Sequence, residues 1–202
     1  MKIIGVTGGV GAGKSTVLGL LQSICNCEII MADDVAKSIM VKGGPLSKDA
    51  VRIFGDNAFL PDGSINRTVL AEKIFNNSDI RKEWENLVHP ATNRRILELL
   101  DKAKSDGKKY AFVEAALLIE NKYEEICDEI WYVYANEDVR RERLKSDRGY
   151  SDEKISGIYD SQMSDAEFRK HCDYVIDTGV SITHTKEQLI NKMYGGKYGR
   201  NS

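Results

Sequence analysis

The chain has 202 residues, 30% of them charged, with a formal net charge of -2 at pH 7. That length supports one substantial core with small inserted lobes rather than two full domains. The near balance of charge leaves no global basic field to hold nucleic acid or an anionic membrane surface, so any anion must be bound locally. No apolar run approaches the roughly 18 residues of a membrane span, and the N-terminus enters a strand with no basic leader, so a cytoplasmic location is expected.

The first predicted strand, Lys2 to Val6, leads directly into Gly8-Gly9-Val10-Gly11-Ala12-Gly13-Lys14-Ser15-Thr16. This is a phosphate-binding loop, the mark of a protein that handles a nucleoside triphosphate. Its glycines let backbone N–H groups close on phosphate oxygens where a Cβ would stand in the way. Lys14 reaches the β and γ phosphates as a mobile point charge, and the Ser15 hydroxyl is a hard oxygen suited to a Mg²⁺ shell. Val17-Leu18-Gly19-Leu20-Leu21 then reads as a helix whose N-terminus turns its partial positive charge to the same anion. Gly11, Ala12, Gly13, Lys14, Ser15 and Thr16 form the candidate nucleotide site.

A second strand, Glu28 to Met31, is followed by Asp33 and Asp34. Carboxylates at the C-terminal end of a parallel strand can orient an acceptor hydroxyl and take its proton. If this strand lies near the first, Asp33 faces the phosphate loop as the base or as a water-mediated Mg²⁺ partner, while Asp34 caps a helix starting near Val35. The stretch up to Lys109 far exceeds a single crossover helix, so an inserted helical lobe is expected over about residues 36–108. Gly44-Pro45 marks a helix start within it, and His89 before Pro90 is read as structural.

The third strand, Tyr110 to Val113, ends at Glu114, and Glu114 or Glu120 could order a Mg²⁺-bound water or cap a helix. After the fourth strand, Ile130 to Tyr134, Asn136 opens an arginine-rich insertion of about residues 139–172, expected to act as a lid. Arg143 and Arg148 are its candidate phosphate contacts, because a guanidinium fork engages two phosphate oxygens at once. Arg140 and Arg141 are assigned instead to a solvated face, with Asp138 and Glu142 as local partners. Ser164 to Glu167 fits a capping box, the fifth strand spans Tyr174 to Ile176, and Thr185 to Gln188 fits a second box before the last helix. Cys25, Cys27, Cys127 and Cys172 lack zinc-site spacing and are read as free buried thiols, and His171 and His184 receive no role.

This alternation of strands and helices predicts an α/β P-loop NTPase fold: a five-stranded parallel sheet with helices on both faces, plus an inserted helical substrate lobe and a lid. Asn121-Lys122-Tyr123-Glu124 mimics a guanine-reading motif, but glutamate replaces its aspartate and no Asp-x-x-Gly occurs in the chain. A nucleotide-binding switch is therefore the weaker alternative, and a nucleoside monophosphate kinase the nearer one. A monomer is compatible with the sequence, which carries no signal of oligomeric state.

The residues also resemble the dephospho-coenzyme A (dephospho-CoA) kinases, from Ile3 to about Thr178. The phosphate loop with its Thr7-Gly8-Gly9 lead is similar to theirs, as is Ala32-Asp33 followed by Val35-Ala36. In the lobe the order of features matches: Phe54-Gly55, Asp62-Gly63-Ser64-Ile65-Asn66-Arg67, Leu70, Ile74-Phe75 and His89-Pro90. Ala116-Leu117-Leu118-Ile119-Glu120, Arg143-Leu144, and Gln162 with Asp173-Tyr174-Val175-Ile176-Asp177 complete it. The chain departs from the family pattern at Met31, where an aspartate is usual, at Ala115-Ala116, and at Asp147-Arg148, where the order is reversed. The resemblance implies ATP-dependent phosphorylation of the ribose 3′-hydroxyl of dephospho-CoA. It also implies Gly11 to Thr16 as the ATP loop, Asp33 as the base and Arg143 as a lid contact.

Overall fold

The computed structural model describes residues 1–116, 118, 119 and 123–198, the last three by their backbone alone. In chain order the elements are β1 (Lys2–Thr7), α1 (Lys14–Ile24), β2 (Cys27–Met31), α2 (Ala32–Ile39), α3 (Ser47–Phe54), α4 (Arg67–Asn76), α5 (Ser78–Ser105), β3 (Tyr110–Glu114), β4 (Glu129–Tyr134), α6 (Glu137–Arg148), α7 (Asp152–Asp160), α8 (Asp165–His171), β5 (Tyr174–Asp177) and α9 (Ile182–Tyr198). Two compact units result: Met1–Ile29 with Ala103–Ser202, and Ile30–Lys102. No helix among the described residues is long and apolar enough to cross a membrane.

The first unit is built on a five-stranded sheet in the order β2-β3-β1-β4-β5. β1 pairs in parallel with β3 on one side and with β4 on the other, and β4 pairs in parallel with β5. Ile4, Gly5, Val6 and Thr7 are buried in succession, as are Ala111 to Glu114 and Ile130 to Val133. Unbroken burial of this kind means that both faces of the central strands are covered. Phe112 and Trp131 meet at 5.6 Å between ring centroids, and Phe168 of α8 stacks on Tyr132 at 4.7 Å. Each predicted strand is present within a residue of its expected limits.

β2 lies at the sheet edge with β3 between it and β1. The residue that ends next to the phosphate loop on that side is therefore Glu114, at the end of β3, rather than a residue following β2.

The second unit is helical. Phe54 and Trp84 meet edge to face at 4.8 Å inside a cluster with Ile39, Leu46, Ala50 and Ile53. The Asp62-to-Arg67 stretch is a tight turn: Asp62 Oδ1 accepts from Ser64 N–H at 2.9 Å and from its hydroxyl at 2.6 Å, and Asn66 caps α4 through the Val69 N–H. Pro90 sits inside α5, with His89 exposed beside it.

Several predicted helix starts need correction. α2 begins at Ala32, with Met31 at its N-cap, so Asp34 is not a cap; it pairs with Lys37 at 2.6 Å, one turn on. Gly44-Pro45 lies in the turn before α3, whose first residue is Ser47. Thr185 lies within α9, where its hydroxyl turns back to the Asp177 and Ser181 carbonyls, so no box forms there. The box at Ser164 is complete, and Asn136 caps α6 by accepting from Val139 N–H at 2.9 Å.

Candidate active site

The loop after β1 is shaped by two features of its glycines. Gly8 passes so close to β4 that a Cβ would stand 2.4 Å from the Val133 carbonyl oxygen. Gly13 precedes α1 at φ 88°, in the left-handed region that favours glycine. Val17 N–H closes onto the Gly13 carbonyl at 3.1 Å, so the Ser15 and Thr16 amides have no acceptor within the helix and face outward at its positive end. Ser15 and Thr16 are exposed there, and Ala12 is buried beneath the loop.

Lys14 lies against this loop, not away from it. Its ammonium donates to the Gly8 carbonyl at 2.7 Å and stands 3.7 Å from a carboxylate oxygen of Glu114. Glu114 is only 6% exposed, a buried carboxylate beside a lysine that is itself largely covered. Together with the Ser15 hydroxyl it supplies hard oxygens close to the phosphate loop, a donor set that fits Mg²⁺.

A second group of contacts joins α6 to the loop. Arg143 donates from Nη1 to the Gly11 carbonyl at 3.3 Å and to Thr178 Oγ1 at 3.1 Å, and from Nη2 to the Thr178 carbonyl at 2.7 Å. The buried Thr178 hydroxyl lies 2.7 Å from the Ala12 carbonyl, to which it donates. Arg140 was expected on a solvated face, and the structure overturns this: its Nε donates to the Val10 carbonyl at 3.0 Å and its guanidinium stacks on Tyr159 at 4.4 Å. Arg141 is half-buried, its guanidinium 5.6 Å from the centre of the Tyr159 ring, and its partners are Glu137 and Asp152, both at 3.0 Å, rather than Asp138 or Glu142. Arg148 is exposed on the last turn of α6, and the hydrogen bonds between α6 and the loop run through Arg140 and Arg143.

Asp33 belongs to the helical unit, where it is exposed on the first turn of α2. Glu120, Asn121 and Lys122 lie outside the described residues. His171 and His184 are exposed, and among the described residues no three His, Cys, Asp or Glu side chains cluster to hold a metal. All four cysteines are free, but only Cys27 is buried; the other three are half-buried. Thr178 and Gln162 carry contacts that sequence reasoning missed. For Gln162 the signal in the sequence is the family likeness that it shares with Asp173 to Asp177.

A parallel α/β sheet whose central strand ends in a phosphate-binding loop, with a lysine and a buried carboxylate at its mouth and arginines reaching in from the next helical segment, defines a P-loop kinase. The family model for dephospho-CoA kinase matches residues 2–184. The dephospho-CoA kinase of Aggregatibacter actinomycetemcomitans is 36% identical over 95% of this chain and 90% of its own length. That of Carboxydothermus hydrogenoformans is 33% identical over 98% of this chain and 96% of its own. Among solved structures, the dephospho-CoA kinase of Campylobacter jejuni aligns with a TM-score of 0.73 at 26% identity, covering 97% of this chain and 99% of that one. The chain belongs to the dephospho-CoA kinase family.

Proposed function

We propose that this kinase transfers the γ-phosphoryl group of ATP to the ribose 3′-hydroxyl of dephospho-CoA, forming coenzyme A in the last step of its synthesis. Beyond family membership, the observation that carries the proposal is Lys14, held at the phosphate loop 3.7 Å from the buried Glu114. Gly11 to Thr16 receive the triphosphate through backbone amides, and Lys14 follows the β and γ phosphates. Ser15 and Glu114 would hold Mg²⁺, directly or through water, and the ion when bound would neutralise charge between those phosphates. Asp33 is assigned the base that orients the sugar hydroxyl and accepts its proton, on the strength of the Ala32-Asp33 likeness; Met31 leaves it without the usual second aspartate.

The helices of about residues 36–108 are assigned to the acceptor and those of about 139–172 to a lid that excludes water. In the lid Arg143 is taken as the arginine that meets the transferring group, with Arg148 as a further nucleotide contact. A cytoplasmic location accords with the absence of a membrane-crossing helix among the described residues.

A coupled assay of ADP release tests the reaction with dephospho-CoA, with AMP, and without acceptor. Release that requires Mg²⁺ and depends on dephospho-CoA is the expected result. Release that follows AMP would move the chain to the monophosphate kinases, and nucleotide binding without transfer to either acceptor would make it a switch.

A further inference from the structure

Val10, in the middle of the phosphate loop, has both its N–H and its carbonyl held from outside the loop. Its N–H donates to Gln162 Oε1 at 3.2 Å, and its carbonyl accepts from Arg140 Nε at 3.0 Å. The two holders are themselves joined, because Arg140 Nη2 donates to the same Gln162 oxygen at 3.1 Å. Both partners of that oxygen are donors, which fixes the orientation of the amide. The Tyr159 ring, 4.4 Å from the guanidinium carbon, supports the planar fork from below.

Gly9 completes the arrangement. A Cβ at this position would stand 2.4 Å from Arg140 Nη2. Gly9 is not among the glycines with positive φ, so the demand for glycine comes from the guanidinium and not from the backbone. Arg140 thus occupies the space that a side chain on the loop would fill.

We propose that Arg140 and Gln162 are positioning residues of the kinase reaction: they hold the Gly9-Val10 segment in the path that receives the triphosphate, and so tie ATP affinity to the seating of α6 and of the turn between α7 and α8. The proposal rests on ATP as the phosphoryl donor. A loop that binds through peptide dipoles and is rich in glycine has much conformational freedom to lose on binding, and a clamp that restricts it beforehand reduces that cost. Loss of the clamp therefore appears in ATP binding, while the acceptor is received as before.

The test uses full-length Arg140→Ala, Gln162→Met, Gln162→Glu, Gly9→Ala and the Gly9→Ala/Arg140→Ala double variant, each with steady-state kinetics, Mg-ATP calorimetry and a thermal melt. Arg140→Ala and Gln162→Met are expected to raise KM and Kd for ATP roughly tenfold, with kcat within about threefold and the acceptor KM unchanged. Gln162→Glu, which keeps an oxygen for both donors, stays within about twofold of wild type. Gly9→Ala matches Arg140→Ala, and the double variant is no worse than Arg140→Ala alone, because the atom that the new Cβ would strike is gone.

Unchanged ATP constants in Arg140→Ala and Gln162→Met overturn the inference. So do effects of Gly9→Ala and Arg140→Ala that multiply in the double variant. If Arg140→Ala melts below the assay temperature, the Gln162 pair decides: equal impairment of the glutamate and methionine variants overturns the inference, and rescue by glutamate supports it. Wild-type protein lacking acceptor-dependent ADP release would instead overturn the proposed reaction.

Discussion

The Lys14 ammonium is held unequally by the Gly8 carbonyl at 2.7 Å and the Glu114 carboxylate at 3.7 Å. A triphosphate competes with both for the ammonium, and its greater charge favours transfer of the lysine to the nucleotide. Lys14→Ala is expected to cost about 3–4 kcal/mol of transition-state stabilisation, read as kcat/KM, in the range found for single donors aimed at developing charge. It also removes a cation paired with a buried carboxylate, so the melting temperature falls with it. Asp33→Asn preserves the shape of an exposed side chain on α2 and removes its basicity. Turnover is expected to drop while the ATP dissociation constant stays within about twofold, and near-normal turnover would remove Asp33 from the mechanism. The loop residues could be read from sequence because their roles follow from short-range geometry between Gly8 and Thr16. Arg140 could not, since its partners Val10 and Gln162 are distant in sequence and only folding brings them together. The one trace was Gly9, a glycine that the loop motif does not require.

Helix ends show the same division between local and long-range causes. Asn136 and Ser164 were readable as caps because a short oxygen-bearing side chain followed by acidic residues states its own purpose. Thr185 carried a similar pattern but serves inside α9, where the Asp177 carbonyl provides a partner that no local rule anticipates. The edge position of β2 was likewise unreadable, since strand spacing along a chain does not determine order across a sheet. Asn136 has a mechanical role beyond its own turn, because α6 carries both Arg140 and Arg143. Asn136→Ala removes the acceptor for Val139 N–H and is expected to lower stability by about 1 kcal/mol, seen as a reduced urea midpoint. An unchanged midpoint would mean that α6 is fixed entirely by its contacts with the loop.

Over the whole molecule the thiols set a limit at alkaline pH. Burial, followed by the neighbouring Cys27, pushes the Cys25 thiol up to about 12 from 9.0. Burial with Asp128 nearby raises Cys127 to about 12, and burial with Asp173 nearby does the same for Cys172. The folded chain therefore holds these protons longer than the unfolded chain does. Their contribution to stability is fully present below about pH 9 and is lost as pH rises toward 12. A urea midpoint that declines between pH 9 and 11, and declines less in Cys127→Ser, is expected; a flat profile would contradict it. The thiols should also resist alkylation at pH 8 in the native state and react once unfolded. A different consequence follows from the path of the chain, which passes between the two units only after Ile29 and before Ala103. One continuous stretch of gene encodes the entire helical body, so recombination at two junctions would exchange it as a cassette. On the proposed assignment of that body to the acceptor, such an exchange would replace the acceptor site together with Asp33 and leave the phosphate loop, Lys14 and Arg143 in place.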